Sequence, residues 1–136
     1  MLDELPALDG VRVLVVDDEP DARTALALIL QQRQATVTAV GSVAEAIDVF
    51  EHEPPDVLLS DIAMPGEDGL TLIRRVRGLP RGRGGGVPAA ALTAYASRDD
   101  RTRVLLAGYQ TYLMKPVDPA ELLAVIANLA GRTGTP

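Results

Sequence analysis

Five residues that could carry phosphate or metal chemistry stand at the ends of apolar runs. Asp17 and Asp18 follow the first run, and Asp61 follows the run 56–60. Thr93 follows a stretch of small apolar residues, and Lys115 follows the last run. Lys115 is also the only lysine among 13 basic residues, which favours a position that needs a compact ammonium group.

Three carboxylates held close together repel one another unless a cation joins them. Oxygen ligands without His or Cys suit a hard ion, and a site with few carboxylates and room for water favours Mg²⁺ over Ca²⁺. A carboxylate beside Mg²⁺, a hydroxyl and a lysine is a phosphoryl-transfer arrangement, in which the carboxylate can itself become an aspartyl phosphate. The alternative is that each acid merely caps the turn or helix that follows it.

Strands and helices alternate along the chain, and this order places those residues. Apolar and β-branched runs predict five strands, at 11–16, 36–40, 56–60, 89–92 and 111–114. Helices are predicted from Pro20, from Ser42 to about Phe50, over 69–77, from Ser97 and from Asp118; Ser42 with Glu45 and Asp118 with Glu121 form capping boxes. The glycine-rich stretch 78–88 is predicted to be a flexible surface loop.

This alternation predicts an α/β fold with a parallel sheet and helices on both faces, because each crossover between parallel strands must be right-handed. In such sheets ligands bind beyond the carboxyl ends of the strands, where the strand order reverses. The five residues should therefore meet in one crevice.

Length and composition exclude several classes of protein. The 136 residues suit one domain, and the absence of Cys excludes disulfides and is compatible with a cytoplasmic protein. No apolar stretch approaches a membrane span, and a net charge of −6 argues against direct nucleic-acid binding. We expect a leader or linker at 1–10, a domain at 11–130 and a flexible tail at 131–136.

Four motifs, VLVVDDE, SDIAMPGEDG, ALTAY and YLMKP, occur in this order over residues 10–131. Together they resemble the receiver domain of two-component response regulators. The resemblance implies the flavodoxin-like fold of five parallel strands in the order 2-1-3-4-5, with five helices on both faces. It implies a phosphorelay role without enzymatic turnover of a separate substrate: the domain catalyses its own phosphorylation and slow dephosphorylation.

The resemblance also assigns roles to residues. Asp61 would be the phosphoacceptor. Mg²⁺ would bind Asp18, Asp61 and the backbone carbonyl of Ala63, with Asp17 acting through water. Thr93 and Lys115 would contact the phosphoryl oxygens, and Tyr112 would be the aromatic switch. The Lys115–Pro116 peptide bond would be cis.

Two positions depart from the usual pattern of the family. Ala63 lacks the polar side chain often found two residues after the phosphoacceptor, which leaves metal binding by its carbonyl intact but alters hydrolysis. Tyr95 is bulky and could shield the phosphoryl group from water. His52, the single histidine, is expected to be a surface residue, so any phosphohistidine belongs to a partner.

The implied partner is a histidine kinase or a histidine phosphotransfer domain. Phosphorylation would change the shape of the face formed by helix 4, strand 5 and helix 5. A homodimer through that face is a further partner that the resemblance implies. A phosphatase of the haloacid dehalogenase type is a rival, but it needs an acid where Ala63 stands. A phosphate-independent interaction module is another. Since only GRTGTP follows the last helix, the chain resembles the C-terminal receiver of a hybrid sensor kinase, with a stand-alone regulator as the alternative.

Overall fold

The computed structural model describes residues 5–94 and 97–132. Strands and helices alternate along these residues, with one short 3₁₀ turn at Arg81–Arg83. The strands are β1 (Arg12–Val16), β2 (Thr36–Val40), β3 (Val57–Asp61), β4 (Ala89–Thr93) and β5 (Thr111–Met114). The helices are α1 (Pro20–Gln32), α2 (Val43–His52), α3 (Gly69–Arg77), α4 (Arg98–Ala107) and α5 (Pro119–Leu129).

The five strands form one parallel sheet in the order β2-β1-β3-β4-β5, which confirms the predicted fold. Each face of the sheet carries its own apolar cluster. On one face the core side chains of α1 and α5, such as Leu30 and Ile126, pack against the sheet. On the other face side chains of α2, α3 and α4, such as Phe50, Ile73 and Val104, do so.

Side-chain caps set where four of the helices begin, because a side-chain oxygen accepts one of the unpaired N–H groups of the first turn. Ser42 accepts from the Glu45 N–H group, and Asp118 accepts from that of Glu121, as the two capping boxes predict. Ser97 caps α4 in the same way. Asp68 caps α3, which fixes the first turn of the helix that follows the β3 end.

Part of the stretch predicted as a leader packs onto the domain. Leu8 is fully buried in the cluster beneath α1 and α5, and its N–H donates to the Arg33 carbonyl over 2.7 Å. At the other end of the chain, the Arg132 guanidinium donates to the Asp9 carbonyl over 2.6 Å. Residues 5–10 therefore belong to the folded unit.

The glycine-rich stretch 78–88 is more ordered than its composition suggests. It turns tightly, and a Cβ on Gly85 would lie only 2.0 Å from the Leu79 carbonyl oxygen. Arg77 donates to the carbonyls of Gly85 and Gly108, so its half-buried guanidinium joins this turn to the end of α4.

No helix within residues 5–94 and 97–132 is both long and apolar enough to cross a membrane.

Candidate functional site

The strand ends bring the predicted site residues together at one edge of the sheet. Asp17 and Asp18 follow β1, and Asp61 is the last residue of the neighbouring strand β3. Lys115 follows β5, and its Nζ lies 2.7 Å from Oδ2 of Asp61. Thr93 ends β4 and is buried; its carbonyl accepts from the Lys115 N–H over 2.9 Å, which fixes where the lysine leaves the sheet.

Asp17, Asp18 and Asp61 form a carboxylate cluster whose ligand oxygens all lie within 4.8 Å of one another. Asp17 and Asp61 are buried, whereas Asp18 is exposed. Oδ1 of Asp17 accepts from the Glu19 N–H over 3.0 Å, but its buried Oδ2 has no hydrogen-bond partner among the residues the structure describes. A buried carboxylate oxygen without a donor is costly, so the site suits an additional cation.

Burial and charge shift two pKa values in this cluster. Burial raises the pKa of Asp17, and this outweighs the Glu19 N–H and the Lys115 charge, which lower it. Burial alone would lower the pKa of Lys115, but its hydrogen bond to Asp61 and the charges of Asp61 and Asp17 raise it. The ammonium therefore stays charged, while the negative charge of Asp17 is destabilised.

The backbone around Asp61 holds its carboxylate in a defined place. Oδ1 accepts from the Ala63 N–H over 3.3 Å, while Oδ2 is bound by Lys115. The Ser60 hydroxyl donates to the Asp61 carbonyl over 2.9 Å, away from the carboxylate. The Ala63 N–H contact therefore holds the start of the loop after β3 beside the Asp61 carboxylate.

The family model of the response regulator receiver domain matches residues 13–127. The chain belongs to this family. Its relatives include an uncharacterised 14.6 kDa protein of Leptolyngbya boryana, 48% identical over 122 residues, which is 90% of this chain and 92% of that protein. The response regulator MprA of Mycobacterium tuberculosis is 38% identical over 91% of this chain.

Solved receiver structures share the fold. A putative response regulator from Chloroflexus aurantiacus superimposes with a TM-score of 0.83 at 33% identity, covering 90% of this chain and 98% of that one. The receiver domain of the sensor histidine kinase PA1611 from Pseudomonas aeruginosa, solved with magnesium in its active-site cleft, gives 0.81 at 34% identity, covering 90% and 98%.

Coverage differs widely among the relatives. The receiver spans 52% of MprA and 13% of the sensor histidine kinase GacS of Pseudomonas protegens, which is 33% identical over 88% of this chain. Receivers of both response regulators and sensor kinases are therefore among its homologues.

Tyr112 of this receiver is half-buried on β5, beside Ala91 of β4 in the strand register. Its hydroxyl accepts from Nη1 of Arg101 over 3.1 Å, and the same guanidinium lies 5.9 Å from the ring centroid. Arg101, on α4, therefore holds the Tyr112 side chain, a contact that the sequence reasoning missed because it joins residues of different elements.

The Lys115–Pro116 peptide bond is cis, as the resemblance implies. His52 ends α2 and is exposed, as predicted. Tyr95 lies outside the described residues.

The sequence reasoning also missed Tyr109, which is buried against α3. The only signal for it in the sequence was an aromatic residue directly after Gly108.

We expect the substitution Asp17→Asn to stabilise the metal-free receiver by about 1 kcal/mol at neutral pH. Because burial raises the folded-state pKa of Asp17, its ionised form lowers stability at any pH above that value. The gain should shrink as the pH falls through the raised pKa and vanish below the ordinary value of 3.8, where the wild-type carboxyl is protonated in both states.

Urea unfolding in the presence of a chelator, at several pH values, measures this effect. The exposed Asp18 offers a matched control, and Asp18→Asn should change stability less. An Asp17→Asn protein less stable than wild type at pH 7 would show that Asp17 is not strained by its burial.

Proposed function

We propose that Asp61 accepts a phosphoryl group from a phosphohistidine of a histidine kinase or a histidine phosphotransfer domain. The observation that carries the proposal is the 2.7 Å contact of the Lys115 ammonium with the Asp61 carboxylate, beside the acids Asp17 and Asp18. A nucleophilic carboxylate, a fixed cation and a cluster of hard oxygen ligands are the parts that phosphoryl transfer to aspartate needs.

The donor set fits Mg²⁺. Its members are oxygens without His or Cys. Oδ2 of Asp17 has no hydrogen bond among the described residues, and the single ammonium of Lys115, 3.8 Å away, is shared with Asp61. We assign Asp18, Asp61 and the Ala63 carbonyl as direct ligands and Asp17 as a ligand through water. Mg²⁺ bound there would neutralise the acids and the charge on the phosphoryl oxygens. The magnesium ion in the active-site cleft of the PA1611 receiver supports Mg²⁺ as the ion.

In the transfer step an oxygen of Asp61 forms a bond to phosphorus, and the P–N bond to the donor imidazole breaks with its electron pair going to nitrogen. Lys115 moves from its contact with Asp61 to the phosphoryl oxygens, since its ammonium carries three donors on a flexible stem. Two groups donate hydrogen bonds to the other phosphoryl oxygens: the Thr93 hydroxyl, at the end of β4, and the Ala63 N–H.

A small acyl-phosphate donor tests the proposal directly. Incubated with the donor and Mg²⁺, the wild-type receiver should gain one phosphoryl group, seen as an intact-mass increase that hydroxylamine removes, as expected of an acyl phosphate. Omitting Mg²⁺ should prevent the gain. A receiver that stays unmodified under both conditions would instead support a phosphate-independent interaction module.

The phosphatase alternative is disfavoured at one position. A phosphatase of the haloacid dehalogenase type needs an acid/base carboxyl two residues after its nucleophile, and Ala63 stands there. We therefore propose autocatalytic phosphorylation and slow dephosphorylation of Asp61 without turnover of a separate substrate.

The face of α4, β5 and α5 is our proposed output surface. It exposes apolar side chains: Leu106 is 82% exposed, Leu105 46% and Met114 40%. Exposed apolar groups favour a protein partner over nucleic acid, and a second copy of the receiver is one such partner. Arg101 and Tyr112 lie on the same face, so a movement of Tyr112 would alter it.

We place this activity in the cytoplasm, where kinases obtain ATP and where a chain without Cys loses nothing to the reducing environment. Relatives support both contexts considered for the domain, a stand-alone regulator and a receiver within a hybrid kinase. The Leptolyngbya protein is nearly covered by this chain, which suits the first context. GacS is a sensor kinase, which suits the second. We favour a receiver of a hybrid kinase, with a stand-alone regulator as the second candidate.

A further inference from the structure

Tyr109 is a buried polar residue that the proposed transfer step does not use. It lies in the turn between α4 and β5 and is only 2% exposed. Its hydroxyl donates to the carbonyl of Gly69, the first residue of α3, over 2.7 Å. Burial raises the pKa of Tyr109, so the phenol remains a protonated donor.

Gly69 in turn touches the backbone of the phosphoacceptor. A Cβ at position 69 would lie 2.3 Å from the Asp61 carbonyl oxygen and 2.9 Å from Cα of Ile62, so no side chain fits there. The Gly69 N–H donates to the Ile62 carbonyl over 3.0 Å. Gly69 is thus the point at which the loop between β3 and α3 closes back onto the end of β3.

That loop, residues 62–68, contains Ala63, whose N–H donates to Oδ1 of Asp61. Both ends of the loop are therefore held near Asp61, and the second end is held by Gly69. The Ser60 hydroxyl donates to the Asp61 carbonyl over 2.9 Å, which adds a further link at the end of β3.

We propose that Tyr109 is a positioning residue for the phosphoacceptor site. By holding the Gly69 carbonyl, it fixes the loop that carries Ala63 and so fixes the placement of the Ala63 backbone against Asp61. This inference rests on the proposed function, in which the Ala63 carbonyl binds Mg²⁺.

The turn that carries Tyr109 is itself held firmly. The Gly108 carbonyl accepts from Nε and Nη2 of Arg77 over 3.0 and 2.8 Å, at the other end of α3. Nη2 of Arg77 also donates to Oε1 of Gln110, which accepts from the Ala89 N–H over 2.7 Å. Contacts at both ends of α3 thus fix the turn, which gives Tyr109 a rigid base from which to hold Gly69.

The substitution Tyr109→Phe tests the role because it keeps the buried ring and removes the hydroxyl. We expect Mg²⁺ affinity, measured by titration of the unphosphorylated protein, to fall roughly three- to tenfold. The rate of phosphorylation at subsaturating Mg²⁺ should fall by a similar factor. In the metal-free protein, the NMR amide signals of Ala63 and Gly69 should shift.

Val87→Ala is the matched control, since Val87 is buried in the same apolar cluster but precedes β4, at the edge of the sheet opposite the strand ends that carry the site. Urea unfolding compares the loss of stability in the two variants. The inference holds if only Tyr109→Phe changes Mg²⁺ affinity and the Ala63 signal. It is overturned if Tyr109→Phe binds Mg²⁺ like wild type, or if both variants weaken binding equally.

The same experiment separates this inference from the proposed function. A wild-type receiver that cannot be phosphorylated would overturn the phosphoacceptor proposal, yet a Mg²⁺ affinity lowered only by Tyr109→Phe would still support the positioning role. A wild type that is phosphorylated normally, together with an unchanged Tyr109→Phe protein, would overturn the positioning role alone.

Discussion

Asp61→Asn abolishes phosphorylation of the receiver, while the fold is kept; this is the largest effect that we expect. Asparagine has nearly the shape of aspartate, but its neutral amide lacks the anionic oxygen that attacks phosphorus. It also loses the charge that attracts Lys115 and Mg²⁺. Circular dichroism should show an unchanged fold, because the backbone pairing of Asp61 with β4 does not involve its side chain.

Intact-mass measurement after incubation with a small phosphodonor and Mg²⁺ checks this expectation, and peptide mapping of the wild type should place the phosphoryl group on Asp61. Asp18→Ala is the control. It removes an exposed carboxylate of the same cluster, so Mg²⁺ binding should weaken and labelling should slow while remaining on Asp61. Undiminished labelling of the Asp61→Asn protein would contradict the assignment of the phosphoacceptor.

Thr93→Ala should uncouple phosphorylation from the movement of Tyr112. In the proposed mechanism a phosphoryl group on Asp61 draws the Thr93 hydroxyl toward it, and the Tyr112 ring then turns inward from its contact with Arg101. The fold should survive, because the bond that Thr93 makes to Lys115 uses its backbone carbonyl. Coupling free energies between such sites are typically about 1–3 kcal/mol, so most of the Tyr112 response should be lost.

NMR spectra with and without beryllofluoride, a phosphate mimic, measure this coupling. In the wild type the Tyr112 signals should shift, and the direction of the shift should match a state that the free protein already visits. Thr38→Ala, on the distant edge strand β2, is a matched control and should respond like wild type. Equal Tyr112 shifts in the Thr93→Ala protein and the wild type would rule out this route.

Local patterns determined most of the fold of this receiver. The strands are short runs of β-branched or small residues, and the caps at Ser42 and Asp118 act within one turn of helix. The positions of these strands and helix starts can therefore be predicted from neighbouring residues in the sequence. The alternation of strands and helices leaves few topologies, because parallel crossovers are right-handed. The observed β3 lies one residue later than predicted, at Val57–Asp61 instead of 56–60, and β4 extends one residue further, to Thr93.

The sequence by itself also determined which residue types reach the site, since parallel strands end at one edge and the acids, Thr93 and Lys115 each stand at such an end. Only the tertiary structure decided how they meet. It places the Lys115 ammonium against Asp61 and, among residues 5–94 and 97–132, gives one oxygen of Asp17 no hydrogen bond. The long-range contacts of Tyr109 with Gly69 and of Arg101 with Tyr112 came from the structure as well. These pairs join different elements, and their geometry depends on how the helices pack on the sheet, which no local pattern of residues records.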